Sequence, residues 1–540
     1  MKTKLMRLFS ALLVFVMVFA MLVACGDEPD DNRDPIDGDG DGDVVTETNW
    51  WDSVDFNDTT LTIMISNASD VELTPGGDKY MKGPLEQVDE EEGTGFEKVQ
   101  NEVYLRNAQA IEDLGIQLSY DYCNKVWGSV AGHVKELEGS TGYPDMYCDL
   151  LYDYVGASIS SNPQCFANLY KYTTKNVAKL EDSAYVGGAL EISKGNGFYV
   201  DLMEDMALSE DKMYLLAGDY YLDVLRAMLV LPFNLQMYVD RLAQNDPDGE
   251  ALYELVSDGE WTWSKLMEFQ TVFPQGETES ATSNNLLMAL ACGGLTSTGL
   301  LYSTAFELYD MDYVNDQVDY TLKTSCPDIN NLFKMAYDLV NTRGVLCDES
   351  TKGDQDGVVA AKNIFTNERA LFCGPMMLGV VEENGFQQMQ RLSILPLPKL
   401  SVAHEYNTVI NSRARVGAIS YHSTLKVESA AFIQYVNENS GTVRDEYFNK
   451  AMTGKFMVGS GAGQMLTLIY NSIGDNKGMI LENLIRFKHW ELGTAHCWTT
   501  LIQEDFYQAH ANDVTTLFGN SVSAKQGVVD EIVAAWYQCD

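Results

Sequence analysis

Seventy-nine acidic residues give the chain carboxylates almost everywhere, and one grouping has the spacing of a metal site. Asp37, Asp39, Asp41 and Gly42 match the opening of an EF-hand calcium loop, where alternate carboxylates ring the ion and glycine makes the turn. The twelfth loop position is Thr48, where a bidentate carboxylate is needed, and no helix precedes the run. A solvated spacer is the better reading, and no metal is expected. Runs such as Glu90-Glu91-Glu92 belong to solvated faces, although abundant acid means counting alone does not remove a glycosidase-like carboxylate pair. The six histidines are scattered, and no GxSxG elbow, HExxH helix or phosphate-binding loop occurs. No cofactor is implied. The remaining chemical resource is aromatic, with 29 Tyr and 8 Trp. A sugar presents hydroxyls around an apolar C–H face, so it needs planar rings to stack on and acid, amide or Arg groups to bond. This composition permits such a site without specifying one.

The elements that would position these groups begin after an export-type start. Lys2, Lys4 and Arg7 precede an apolar run from Leu8 to Ala24 broken only by Ser10. A retained anchor helix of roughly 17–25 residues is one reading of such a run. A secretory signal is the other. Leu22-Val23-Ala24-Cys25-Gly26 favours the second, because it resembles the lipobox of bacterial lipoproteins. That resemblance implies cleavage after residue 24 and acylation of Cys25, with the lipid as the protein's only hold on the membrane. Loss of three positive charges would move the net charge from −43 to −46. Nucleic acid and anionic lipid surfaces both need a basic footprint, so neither is an expected partner. Residues 26–43 carry nine acids and one Arg, too polar to fold, and should hold the body off the membrane. Nine cysteines lie beyond Cys25 without a CxxC pair, an odd number that leaves at least one unpaired. A disulfide or two and buried thiols fit equally well.

The length predicts two domains. Thr60–Ile65 is a β-branched strand, Gly95–Leu114 a helix, Ile116–Tyr120 a strand, Val126–Leu137 a helix and Tyr143–Leu150 a strand entered through proline. This alternation predicts βαβ units and a largely parallel sheet. The pattern then repeats in kind: strand Leu229–Asn234, helix Trp263–Phe273, and short strands Leu371–Cys373 and Leu392–Pro396. From Val427 the chain is predicted mostly helical. Two α/β bodies and a helical tail result.

Several segments, in order, resemble extracellular solute-binding lipoproteins of carbohydrate-type ABC importers. They are the lipobox and acidic spacer, Tyr143-Pro144-Asp145-Met146-Tyr147, and Gly218-Asp219 leading into Leu231-Pro232-Phe233-Asn234. The most specific is Leu252–Val256 with Asp258-Gly259-Glu260-Trp261-Thr262-Trp263, followed by Asn367–Gly374 and Ile394-Leu395-Pro396-Leu397-Pro398-Lys399. The matches span about residues 59–440, and the tail departs from the pattern. The resemblance implies a two-lobed class II periplasmic-binding-protein-like fold, α/β, with a central cleft. It divides the chain into a signal peptide (1–24), an acidic linker (25–57), lobe 1 (58–222 plus 395–440) and lobe 2 (223–394 plus 441–540). It further implies a monomer on the outer face of the cell membrane that captures a small solute of carbohydrate class without altering it and delivers it to ABC permease subunits. A ligand-sensing receptor and a secreted glycan hydrolase are the competing functions.

Parallel α/β sheets offer ligands the carboxyl ends of their strands. Candidate contacts are therefore Ser66 and Asn67 after the first strand, Asp149 and Tyr152 after the third, and Tyr220 and Tyr221 beside the first crossing between lobes. Trp127, Thr298, Tyr302 and Met377 complete the set; Met376 and Met377 stand where relatives often carry an aromatic. Each has a bland alternative as turn, hinge or packing residue. Trp261 and Trp263 are tempting platforms, but Asp258-Gly259 is a turn and Thr262 a helix N-cap, so they are expected to lock a helix start instead.

Overall fold

A computed structural model describes residues 49–66, 80–84, 95–123, 142–151, 165–173, 189–207, 211–273, 287–293, 296–303, 309–314, 317–322, 327–340, 345–347, 354–382, 385–456, 460–474, 480 and 525–534. The signal segment, Cys25, the acidic spacer with Asp37, Asp39 and Asp41, Asn67, Glu90–Glu92, the Val126–Leu137 helix with Trp127, and Tyr152 lie outside these residues. So does most of the chain beyond residue 474.

Residues 49–540 form one compact unit built on two sheets. The strands in chain order are β1 Thr59–Ser66, β2 Ile116–Cys123, β3 Met146–Leu150, β4 Leu229–Asn234, β5 Met288–Cys292, β6 Tyr309–Val314, β7 Gln317–Leu322, β8 Val345–Cys347, β9 Ala370–Cys373, β10 Met376–Met377, β11 Leu392–Leu395 and β12 Arg415–Ile419. The first sheet runs β12-β3-β1-β2 and the second β10-β4-β9-β5-β8, with β11 also paired to β4. β6 and β7 form a separate antiparallel pair.

The two sheets repeat one plan. In the first, β2, β1 and β3 are parallel in that order and β12 joins β3 antiparallel. In the second, β8, β5 and β9 are parallel in that order and β4 joins β9 antiparallel. Each antiparallel strand is the first one the chain makes after leaving the other sheet. Its outer neighbour is the segment by which the chain is about to leave: Leu216 bridges Gly417 of β12, and β11 pairs β4. The expected α/β class holds in both halves, while the antiparallel strands modify the largely parallel sheet predicted from alternation alone.

Local sequence explains the elements that carry this plan. β1 buries Leu61, Ile63, Met64 and Ile65, a near-continuous apolar run suited to a strand covered on both faces. The helix Gly95–Leu114 buries Val99, Val103, Arg106, Ala110 and Leu114, spaced along one face. The Trp261-Thr262-Trp263 segment acts as the sequence suggests. Both indoles are buried, Thr262 Oγ1 accepts from Lys265 N at 3.2 Å, and Trp261 Nε1 donates to Pro396 O at 3.0 Å. The predicted Trp263–Phe273 helix is a short α-helix to Glu268 continued by a 3-10 turn.

Among the described residues, three passages join the sheets. The first two pair with each other: Leu229 N donates to Val409 O and Asn411 N to Ala227 O, both at 2.9 Å. The third follows the helix Lys426–Glu438. The π-helical Glu446–Met452 still packs on the Gly95–Leu114 helix, so the return to the second sheet comes later than residue 441. It is complete at the helix Ser460–Asn471, which packs on β11 and on the helix Glu250–Ser257.

Candidate functional site

The carboxyl edges of both sheets converge on one buried cluster of charge. β1 ends at Ser66, and Arg415 opens β12 opposite Leu150, the last residue of β3. On the other side β9 ends at Cys373, and the chain passes through β10 and the short helix Leu378–Val381 to Glu382. Between the two lies the helix Leu222–Arg226 of the first passage, which packs against both β12 and the Leu378–Val381 helix.

Four charged side chains alternate in sign across this junction. Arg415 Nη1 meets Asp223 Oδ2 at 2.8 Å, and Asp223 Oδ1 meets Arg226 Nη1 at 2.8 Å. Arg226 then grips Glu382 with two bonds, Nε to Oε1 at 2.8 Å and Nη2 to Oε2 at 3.0 Å. All four are at most 4 % exposed, and their formal charges cancel. Arg415 Nε also donates to Ser66 O at 3.3 Å, and the hydroxyls of Tyr80 and Tyr447 donate to Glu382. The Arg226 guanidinium lies 4.5 Å from the Tyr80 ring centroid. Such saturation is what allows charge to be buried at all, since an ion stripped of water must recover its bonds within the protein.

The protonation states follow from this packing. Burial alone would lower the Arg226 guanidinium, but Glu382, Tyr80 and Asp223 outweigh it and hold its pKa well above the usual value. Burial first, and the Glu382 charge second, push the phenols of Tyr80 and Tyr447 far up. These three groups therefore keep their protons near neutrality. These members offer neither a base nor a poised acid.

A second ionic group braces the passages. Asp219 accepts from Tyr199 at 2.6 Å and from Arg444 at 2.7 Å, tying the first passage to the third. Burial raises its carboxyl to about 6 against the opposing pull of Arg444 and Tyr199. Beside it Asn437 Oδ1 accepts from Tyr220 N at 3.1 Å, and a Cβ on Gly218 would lie 2.2 Å from that oxygen. Only a residue without a side chain lets the passage approach so closely.

Among the sequence candidates, Ser66 joins the charged cluster through its carbonyl. Asp149 is fully buried at the end of β3, where its Oδ1 accepts from Leu150 N at 2.7 Å. Tyr220 and Tyr221 are buried in the first sheet's core. Tyr220 lies under Arg106 at 4.7 Å and edge-on to Phe432, and the Tyr221 hydroxyl fills the space that a Cβ on Gly417 would need. Both thus pack behind the edge, while the helix they introduce carries Asp223 and Arg226 onto it. Met377 is buried in β10 opposite Leu229. Tyr302 is buried at the end of the helix Thr296–Tyr302, and its carbonyl accepts from Asn407 of the second passage at 2.7 Å. Thr298 belongs to the same helix. Sequence reading missed Tyr80, Asp223, Arg226, Glu382, Arg415 and Tyr447. One signal was available: Asp223 and Arg226 are the only charges in the otherwise apolar run from Tyr220 to Phe233.

No protein-family profile and no curated protein matches the chain. Solved structures do. An ABC transporter solute-binding protein from Thermotoga lettingae, bound with α-D-tagatose, is 12% identical, covers 88% of this chain and 100% of its own, and has a TM-score of 0.48. An ABC substrate-binding protein from Listeria monocytogenes in complex with cycloalternan is 9% identical, covers 88% and 99%, and has a TM-score of 0.44.

Proposed function

We propose that this chain is a solute-binding lipoprotein that traps a neutral sugar or oligosaccharide between two lobes and hands it, unaltered, to ABC permease subunits. The observation that carries the reading is the meeting of two repeat-related sheets at their carboxyl edges, beside passages paired with each other. Such edges are where open α/β sheets receive ligands, and hinge closure around them is an established way to enclose one. The charge balance of the Arg415–Asp223–Arg226–Glu382 cluster favours an uncharged, hydroxyl-rich partner, because an ionic solute would meet no unmatched charge there. The ordered sequence motifs point to the same class.

In this reading lobe 1 holds residues 58–222 and 395–440, with β1, β2, β3 and β12, and lobe 2 holds 223–394 with the other strands. The helix Ser460–Asn471 supports placing the last part of the chain in lobe 2, with its boundary nearer 460 than 441. Cys25 carries the lipid, residues 26–57 are the tether, and the protein works as a monomer outside the cell membrane. Binding energy shifts the open and closed populations by the ligand's preference for the closed form. A thermal-shift panel of sugars, amino acids, peptides and polyamines tests the assignment. One class of sugar is expected to raise the melting temperature by mass action. If only a non-carbohydrate raises it, the sugar assignment fails.

A further inference from the structure

We infer that a hollow beside Lys399, which shares no residue with the sheet-edge cluster, is a second ligand site for a small zwitterion with an apolar body, an amino acid such as leucine. The inference does not depend on the proposed function. Lys399 lies on the second passage and is clamped by its backbone: its N–H donates to Trp261 O and its carbonyl accepts from Trp263 N, each at 3.0 Å. The residue is only 4 % exposed. Its ammonium sits 5.0 Å from the Tyr406 ring centroid, and a Cβ on Gly259 would lie 3.1 Å from Nζ. Gly259 adopts φ +73°, a conformation that itself favours glycine. Lys399, Tyr406 and Gly259 all line a cavity of about 690 Å³, within the size range of small-molecule sites.

Among the described residues, no hydrogen bond or ion pair reaches this ammonium. The ammonium opens on the hollow with the Tyr406 ring beside it, and a cation–π contact worth about 0.5–2 kcal/mol leaves much of its charge unmatched. An anionic group from outside would complete it. The mouth of the hollow restricts which anion. Asp258, Glu260 and Glu405 are exposed lining residues, so a multiply charged anion is repelled there and a cationic group is welcomed. Met465, buried, and Leu468, half-buried, supply an apolar wall. A carboxylate at the floor, an ammonium at the rim and an aliphatic or aromatic side chain against Met465 satisfy all three surfaces. The walls are braced in advance: Tyr406 Oη donates to Val256 O at 2.8 Å, and Ser401 Oγ lies 2.9 Å from His404 Nδ1.

The test is calorimetric titration of the whole chain with L-leucine, L-methionine and L-phenylalanine. Two half-ligands accompany them: 4-methylpentanoate, which lacks the ammonium, and isoamylamine, which lacks the carboxylate. At least one amino acid should bind one-to-one, each half-ligand should bind more weakly, and Lys399→Met should weaken the amino acid about tenfold or more. Should Lys399→Met fail to fold by circular dichroism, Glu405→Gln on the exposed rim takes its place and should weaken the amino acid but not 4-methylpentanoate. The inference is overturned if no amino acid binds, if 4-methylpentanoate binds as tightly as leucine, or if the folded variant binds as tightly as the wild type.

Discussion

Glu382 receives two bonds from Arg226 and one each from Tyr80 and Tyr447, so its removal leaves the buried Arg226 guanidinium only Asp223, which Arg415 already shares. Glu382→Leu should therefore cost about 3–5 kcal/mol, the usual penalty for breaking a buried pair from one side. Urea unfolding of the variant checks this, and a loss below about 1 kcal/mol would mean the cluster is hydrated and weakly coupled. Asp219 makes a different prediction, because its folded pKa of about 6 lies above the ordinary 3.8. An acid shifted upward stabilises the fold while protonated, so the contribution is complete below 3.8 and lost as pH rises through about 6. The shift corresponds to at most about 3 kcal/mol. Asp219→Asn should flatten the dependence of unfolding midpoint on pH across that window, relative to wild type. An unchanged slope would remove Asp219 as its source.

At the scale of elements, the N-terminal cap of the Trp263–Glu268 helix is a small, separable term. Thr262→Ala should cost about 1 kcal/mol and Thr262→Ser much less, measured by thermal unfolding. Equal costs would assign the effect to the lost methyl and not to the Oγ1 bond. This cap was readable in advance because its chemistry is local, as were β1, β4 and the Gly95–Leu114 helix, whose apolar spacing declares their period. β5 and β12 were not. Met288-Ala289-Leu290-Ala291-Cys292 lacks β-branched residues, and Arg415-Val416-Gly417-Ala418-Ile419 hides a strand behind a charge and a glycine. Gly417 is there to admit the Tyr221 hydroxyl, and Arg415 to meet Asp223. Both reasons lie in other parts of the chain. The cluster itself was illegible for the same cause: its key contacts join residues 192 and 156 positions apart.

For the whole molecule, the repeated plan explains why long-range contacts concentrate where they do. Each half contributes its antiparallel strand just after a passage, so the passages enter beside the carboxyl edges and bring charged residues from both halves to one junction. A neutral solute held there would be gripped by hydrogen bonds and released by opening, with no bond of its own made or broken. The direct measurement is calorimetric titration with the sugar class that raises the melting temperature, followed by mass analysis of the recovered ligand. One molecule should bind per chain and return with its mass unchanged. Recovery of shortened saccharide, or no saturable binding of any neutral sugar, would contradict capture without chemistry.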